Sequence, residues 1–199
     1  MTAARRSPHG AVRQARPQGP RNRVRIIGGE WRSRLLRFPD HESLRPTPDR
    51  VRETVFNWLG QRLDGLACVD LFAGSGAFGF EALSRGAARV VMVERDREIL
   101  QALRDNAAAL DAGARLDLVP GDAMGWLARC GERFDVAFVD PPYASGLAMP
   151  AMEALRPCLA AGARVYVEAA QGFVAGPAWE ALRQDHAGAV RYALFELRP

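Results

Sequence analysis

From Ala67 to Leu197 the chain alternates short, apolar, β-rich runs with stretches of helical spacing, and few folds satisfy that alternation. Runs at 67–72, 89–94, 115–119, 134–139, 163–168 and 190–197 read as strands, with helices near 78–85, 96–111, 122–130, 146–159 and 177–183. Strands this apolar need both faces covered, and the helices between them supply the cover. The expected fold class is α/β, a Rossmann-like, doubly wound and mostly parallel sheet. Its last strand follows a shorter link and is read as an antiparallel addition at the edge.

In sheets of this kind ligands lodge beyond the carboxyl ends of the strands. Asp140-Pro141-Pro142-Tyr143 falls at such an end, directly after the apolar run 134–139. Neither proline can donate to a ladder, so the sheet stops there. A carboxylate, two rigid carbonyls and an aromatic ring are left together. That set suits a planar base with an exocyclic amine: acceptors for its N–H groups and a ring to stack on. The plain alternative is a strand-to-loop turn with a surface tyrosine.

A second strand end carries Asp70-Leu71-Phe72-Ala73-Gly74-Ser75-Gly76-Ala77-Phe78-Gly79. Gly74, Gly76 and Gly79 satisfy G-x-G-x-x-G, the dinucleotide fingerprint, which is weak alone. Asp70 argues against a pyrophosphate, which its charge would repel, and for a cationic ligand. Glu94 ends the next strand, eighteen positions after Gly76, where an acid can hold ribose hydroxyls. Asp122, after the third strand, could accept from an adenine amine or cap the following helix, and the two roles are compatible.

The remaining composition sets bounds. At 199 residues and 48% hydrophobic, the chain reads as one domain with a sizeable core. No apolar run approaches the ~18 residues of a membrane span, and the N-terminus lacks a secretory signal's apolar stretch. Cys68, Cys130 and Cys158 are odd in number and show no C-x-x-C spacing, which fits a reducing compartment. His9, His41 and His186 are scattered, and no metal site is expected.

Charge is uneven along the chain. Residues 1–50 hold twelve arginines against Glu30, Asp40, Glu42 and Asp49, a local +8 that leaves −4 for the rest. Such asymmetry points to a polyanion met by the N-terminal part; the bland reading is a solvated basic tail. Residues 1–22, rich in Arg, Pro and Gly, read as disordered. A hairpin follows over 23–46, with a strand at Val24–Ile27, a Gly28-Gly29 turn and a second strand from Trp31 to Phe38. Arg25, Arg32, Arg34 and Arg37 would make it an electropositive ribbon for such a polyanion. Thr47 then caps a helix opening at Pro48, with Val51, Val55, Trp58, Leu59 and Leu63 toward the core. Residues 47–199 form the main α/β domain on this reading.

These residues carry a resemblance. Asp70 to Gly79, Glu94, Asp122 and Asp140 to Tyr143 resemble, in order, the motifs of class I, Rossmann-like S-adenosylmethionine-dependent methyltransferases. The final tetrapeptide is similar to the (D/N)-P-P-(Y/F/W) signature of enzymes that methylate exocyclic amines of bases. More narrowly, Arg25-Ile26-Ile27-Gly28-Gly29, Leu44-Arg45-Pro46-Thr47, Arg50-Val51-Arg52-Glu53, Phe56-Asn57-Trp58-Leu59 and residues 81–87 resemble the bacterial 16S rRNA (guanine(966)-N(2))-methyltransferase family. The likeness spans residues 24–198, with Ser33 standing where that pattern has glycine. It implies S-adenosylmethionine as cofactor, held by Asp70, Phe72, Ala73, Gly74, Ser75, Gly76, Glu94, Arg95, Asp122 and Ala123. It implies catalysis at Asp140, Pro141, Pro142 and Tyr143 on guanine N2. The partner implied is 16S rRNA, within an assembled or assembling small ribosomal subunit. A cytoplasmic monomer is expected.

Two other enzyme readings and one binding reading compete. A DNA base-amine methyltransferase uses the same tetrapeptide but ordinarily needs a larger target-reading region. A nicotinamide oxidoreductase would account for the glycine motif alone. A non-catalytic RNA-binding module leaves the position of Asp140 unexplained.

Overall fold

The structure, a computed structural model, describes residues 22–41, 44–45, 47–142, 145–170, 174–188 and 190–198. The chain begins with β1 (Arg23–Arg25), β2 (Leu35–Arg37) and α1 (Asp49–Trp58). Strands and helices then alternate through β3 (Ala67–Asp70), α2 (Ala77–Ser84), β4 (Arg89–Glu94), α3 (Arg97–Leu110) and β5 (Leu116–Pro120). The second half holds α4 (Ala123–Leu127), β6 (Phe134–Val139), α5 (Ala148–Leu155), β7 (Leu159–Ala170), β8 (Trp179–Ala187) and β9 (Val190–Leu197).

The main sheet runs β5-β4-β3-β6-β7-β9-β8, parallel up to β7, with β9 antiparallel to both of its neighbours. Alternate residues feed two cores, because successive side chains leave a strand on opposite faces. Cys68, Met92, Phe138, Tyr166 and Leu194 pack with α1, α2, α3 and the N-terminal ribbon. Val69, Val91, Ala137 and Val165 pack with α4 and α5. This is the doubly wound sheet the alternation predicts. No helix among the described residues is long and apolar enough to cross a membrane.

The helix expected over 177–183 is instead the edge strand β8, paired with β9 along its length with a register shift between Ala181 and Arg183. Glu, Ala, Leu, Arg and Gln favour helix locally, but the neighbouring strand offers a full ladder and tertiary pairing overrides propensity. Trp179 anchors β8, buried at its start with Nε1 donating to Glu153 Oε1 at 2.9 Å. β9, expected at the edge, is therefore interior.

The N-terminal hairpin also differs from its reading. Its strands are three residues each, and the connection spans 26–34 rather than turning at Gly28-Gly29. Those glycines are engaged elsewhere: Ile27 and Gly28 N–H groups donate to Glu81 of α2 at 2.7 and 2.8 Å. Ser84 Oγ donates to the Gly28 carbonyl at 2.6 Å and accepts from Trp31 N–H at 2.9 Å. A Cβ on Gly29, at φ +79°, would lie 1.8 Å from the Ser84 carbonyl, so only glycine fits. A two-stranded ribbon is marginal by itself. This one buries Val24, Ile26, Trp31 and Leu36 in the shared core, each contributing about 1.5–3 kcal/mol.

Glu81 ties that junction together. It is fully buried and also accepts from Arg85 Nε at 2.8 Å and Arg52 Nη1 at 3.4 Å. Arg52, equally buried, donates to Asp49 at 2.7 Å and to the Arg25 carbonyl at 2.8 Å. Val51, Val55 and Leu63 face the core as their spacing predicts, while Trp58 and Leu59 are half-buried, Trp58 stacking on Tyr192 at 5.5 Å.

Candidate active site

β3 and β6 are adjacent and parallel, with Asp70 opposite Phe138. From β3 the chain winds outward through β4 and β5; from β6 it winds the other way. The crevice beyond their carboxyl ends is the topological switch point, where such sheets bind ligands. The glycine turn follows β3 and Asp140 follows β6, so pairing of two strands distant in sequence brings both motifs to one rim.

The glycine turn is built around two carboxylates. Gly74 and Gly76 take φ of +50° and +76°, and Gly76 leads into α2. Gly74 N–H donates to Glu94 Oε2 at 2.9 Å, while Glu94 Oε1 accepts from Asp96 N–H at 2.8 Å. Each oxygen keeps a lone pair for a further hydroxyl. Asp70 accepts from Gly79 N–H at 3.2 Å, and burial pushes its carboxyl up to about 7. A cation placed beside Asp70 would restore its charge. These residues therefore fit a ligand with a cationic amino-acid end and a sugar. A Cβ at Gly79 would meet Met92 Cε at 2.3 Å, which explains the third glycine as close helix-to-strand packing.

The segment before α1 crosses the same rim. His41 Nε2 lies 3.6 Å from Asp96 beyond β4, and a Cβ on Gly74 beyond β3 would meet Leu44 Cδ2 at 3.1 Å. Thr47 Oγ1 donates to Asp140 Oδ2 at 3.1 Å beyond β6. Thr47 therefore does not cap α1: Pro48 occupies the N-cap position with no side-chain bond. The hydroxyl read as a helix signal belongs to the site.

Asp140 lies among acids. Burial, then the Glu168 carboxylate, hold its carboxyl well above the usual carboxylate range, and Asp70 adds to the effect. Glu168 lies near the end of β7, accepting from Tyr166 Oη at 2.6 Å, and is itself raised by burial. Below them Phe138, Phe78 and Tyr166 pack closely, with ring centroids at 5.0 Å for Phe78–Phe138 and 4.8 Å for Phe78–Tyr166.

The other expected residues are dispersed around this rim. Phe72 is half-buried; Ala73, Ser75 and Ala123 are buried; Arg95 and Asp122 are exposed. Asp122 caps α4, accepting from Gly125 N–H at 2.8 Å. Pro141 is half-buried and Pro142 exposed, the Pro142 carbonyl accepting from Ser145 N–H at 3.0 Å. Tyr143 lies outside the described residues, as does the basic tail before Asn22. Arg25, Arg32, Arg34 and Arg37 are all exposed at the ribbon, with Arg25 paired to Asp49 at 3.3 Å and Arg34 donating to the Ala109 carbonyl at 2.7 Å. Arg23, absent from that expectation, lies directly opposite Arg37.

Sequence reading missed Glu168, the site role of Thr47 and the Glu81–Arg52 pair. For Glu168 a signal existed: Tyr166 and Glu168 alternate on β7 in step with Phe138 and Asp140.

Strand order with an antiparallel β9, a glycine turn after β3 and an acid after β6 define a class I, Rossmann-like methyltransferase. Residues 24–196 match the family described as "Conserved hypothetical protein 95". The chain belongs to that family, and with it to the bacterial 16S rRNA (guanine(966)-N(2))-methyltransferase family that its motifs resemble. It is 46% identical over 178 residues to "Ribosomal RNA small subunit methyltransferase D" of Escherichia coli K12, covering 87% of this chain and 89% of that protein. The protein of the same name from Haemophilus influenzae is 37% identical over 180 residues, covering 87% and 93%. The solved structure of yhhF from Escherichia coli superposes with a TM-score of 0.80 at 44% identity, covering 88% of this chain and 98% of that one.

Proposed function

We propose that this protein methylates the exocyclic N2 amine of a guanine in 16S rRNA of the small ribosomal subunit, using S-adenosylmethionine. The observation that carries the reading is the Asp140 carboxylate at the end of β6, one strand from Asp70 and the glycine turn. An amine acceptor and a cation-binding acid share one crevice. The names of the relatives support rRNA of the small subunit as substrate.

Bound S-adenosylmethionine supplies a methyl group made electrophilic by its sulfonium. Asp70 would hold the amino-acid end, Glu94 the ribose hydroxyls and Asp122 the adenine amine, with Phe72, Ala73, Gly74, Ser75, Gly76, Arg95 and Ala123 around them. Asp140 accepts one N–H of the base amine and the Pro141 carbonyl the other, which aims the nitrogen lone pair at the methyl. Tyr143 stacks on the base, worth about 1–3 kcal/mol by comparison with single-strand binders. Extruding the guanine costs a few kcal/mol, least in a loop. Alignment within about 3–3.5 Å is worth roughly 7–11 kcal/mol at best. Once the amine had taken up the methyl group that the cofactor would supply, its nitrogen would shed a proton. Charge developing on nitrogen is stabilised by Asp140.

The ribbon over 23–46 meets the RNA backbone through Arg25, Arg32, Arg34 and Arg37. Arg23 and Arg37 are like charges directly opposed across two strands, an arrangement that destabilises the ribbon unless an anion lies between them.

Asp140→Ala is the test of the chemistry. Methyl incorporation from tritiated cofactor into small-subunit RNA falls by about a hundredfold to a thousandfold, while calorimetric binding of S-adenosylhomocysteine survives. Near-normal turnover in that variant would defeat the assignment.

A further inference from the structure

We infer that Glu168 and Thr47 are positioning residues that set the ionisation of Asp140 from opposite directions. Glu168 is a second carboxyl that shares its proton, and Thr47 Oγ1, 3.1 Å from Asp140 Oδ2, is the donor that holds its charge. The inference rests on the reading of Asp140 as the acid that grips the base amine.

Register puts the trio together. Phe138 pairs with Tyr166, so two residues further along each strand Asp140 and Glu168 emerge side by side on one face. Tyr166 Oη fixes Glu168 Oε1 at 2.6 Å, which keeps the second acid from swinging away. Thr47 arrives from the segment before α1, its residue buried, and its hydroxyl lies against both carboxyls. The groups that face Asp140 are then Thr47 from that segment, Glu168 from β7 and Asp70 from β3. Tyr166 from β7 faces Glu168, and behind it stands Tyr192 of β9, whose hydroxyl donates to Asp185 of β8 at 3.1 Å. The charged groups bearing on Asp140 are both acids.

Two carboxyls this close do not both ionise readily; a dyad holds one proton over a wide pH range. A protonated Asp140 is a poor acceptor for an amine N–H. Thr47 favours the carboxylate because its hydroxyl donates, and Glu168 disfavours it because its own charge repels. When the methylated nitrogen releases its proton, the dyad lies next to it as the acceptor, and the proton passes on to water as product leaves.

The test is the pH dependence of methyl transfer between pH 5 and 9, using the full chain and small ribosomal subunits that lack the modification. Glu168→Gln removes the competing charge, and the acid limb of kcat/KM moves to lower pH by about one unit. Thr47→Val removes the donor and moves the limb to higher pH, while Thr47→Ser restores it. Substrate titration is common to all variants and cancels. Thermal unfolding and S-adenosylhomocysteine binding report folding, and the Thr47 pair carries the test by itself if Glu168→Gln is unstable. Variants that scale the rate equally at every pH, or that move the limb in the same direction, overturn the inference. Near-normal turnover in Asp140→Ala would instead overturn the reading of Asp140 as the acid that grips the amine, which is a separate outcome.

Discussion

Glu81 and Asp140 are both carboxyls drawn out of solvent, Glu81 fully and Asp140 in part, and their surroundings are opposite. Glu81 accepts from two backbone N–H groups and from two guanidinium groups, Arg52 and Arg85. Asp140 receives one hydroxyl hydrogen and faces Glu168 and Asp70. A buried charge with its partners built in is part of the scaffold: it docks the ribbon and α1 onto α2. A carboxyl packed against other acids is disfavoured in the resting protein, and a cationic or N–H-bearing ligand relieves it. The contrast separates the acid that holds the fold from the acids that await chemistry.

The sharpest way to break that contrast is Glu81→Ala. It leaves two N–H groups without their acceptor and takes from Arg52 one of its two carboxylates, and urea unfolding should show a loss of about 3–5 kcal/mol. Methyl transfer per folded molecule should stay near normal, since Glu81 lies at the ribbon junction rather than at the rim. A stable but inactive variant would reverse the assignment.

The acids of the rim make the opposite prediction with pH. Asp70 is pushed up to about 7 in the folded protein, against about 3.9 for an unfolded aspartate. Between those values the unfolded chain has lost a proton that the folded chain keeps. The stabilising contribution is therefore complete below about pH 4 and is lost as pH rises through 7, a decline of up to about 4 kcal/mol. Unfolding midpoints of the ligand-free protein should fall from pH 5 to pH 8. Saturating S-adenosylhomocysteine, whose amino group supplies the missing cation, should flatten that slope.

Smaller effects belong to the ribbon. Replacing Arg23 and Arg37 by glutamine should lower RNA affinity by about tenfold or less and reduce the salt slope by roughly one for each phosphate no longer engaged. Cofactor binding should not change. Ser33 holds φ +70°, a conformation costing a residue with a Cβ roughly 1 kcal/mol. Ser33→Gly should raise stability by somewhat less than that in thermal unfolding, because glycine also loses more freedom on folding.

The motifs that read well from sequence are those whose signal is local. Gly74 and Gly76 take the positive φ that a glycine turn predicts, and the strand at Phe134–Val139 ends at the two prolines. β8 read as a helix because its residues favour one; only the open edge of β9 made it a strand. Thr47 before Pro48 looks like a cap in any local window. Its partner is 93 positions away, and nothing near it in sequence announces that.

Alternation, glycine spacing and the Asp-Pro-Pro stop are properties of short stretches, so the order of residues alone was enough to specify the doubly wound sheet and the two strand ends that carry its motifs. Which acids stand among acids and which are neutralised depends on how distant segments meet. Register brings Glu168 beside Asp140, and helix docking brings Arg52 to Glu81. Electrostatic environment depends on distance in space, and only the folded chain sets that distance.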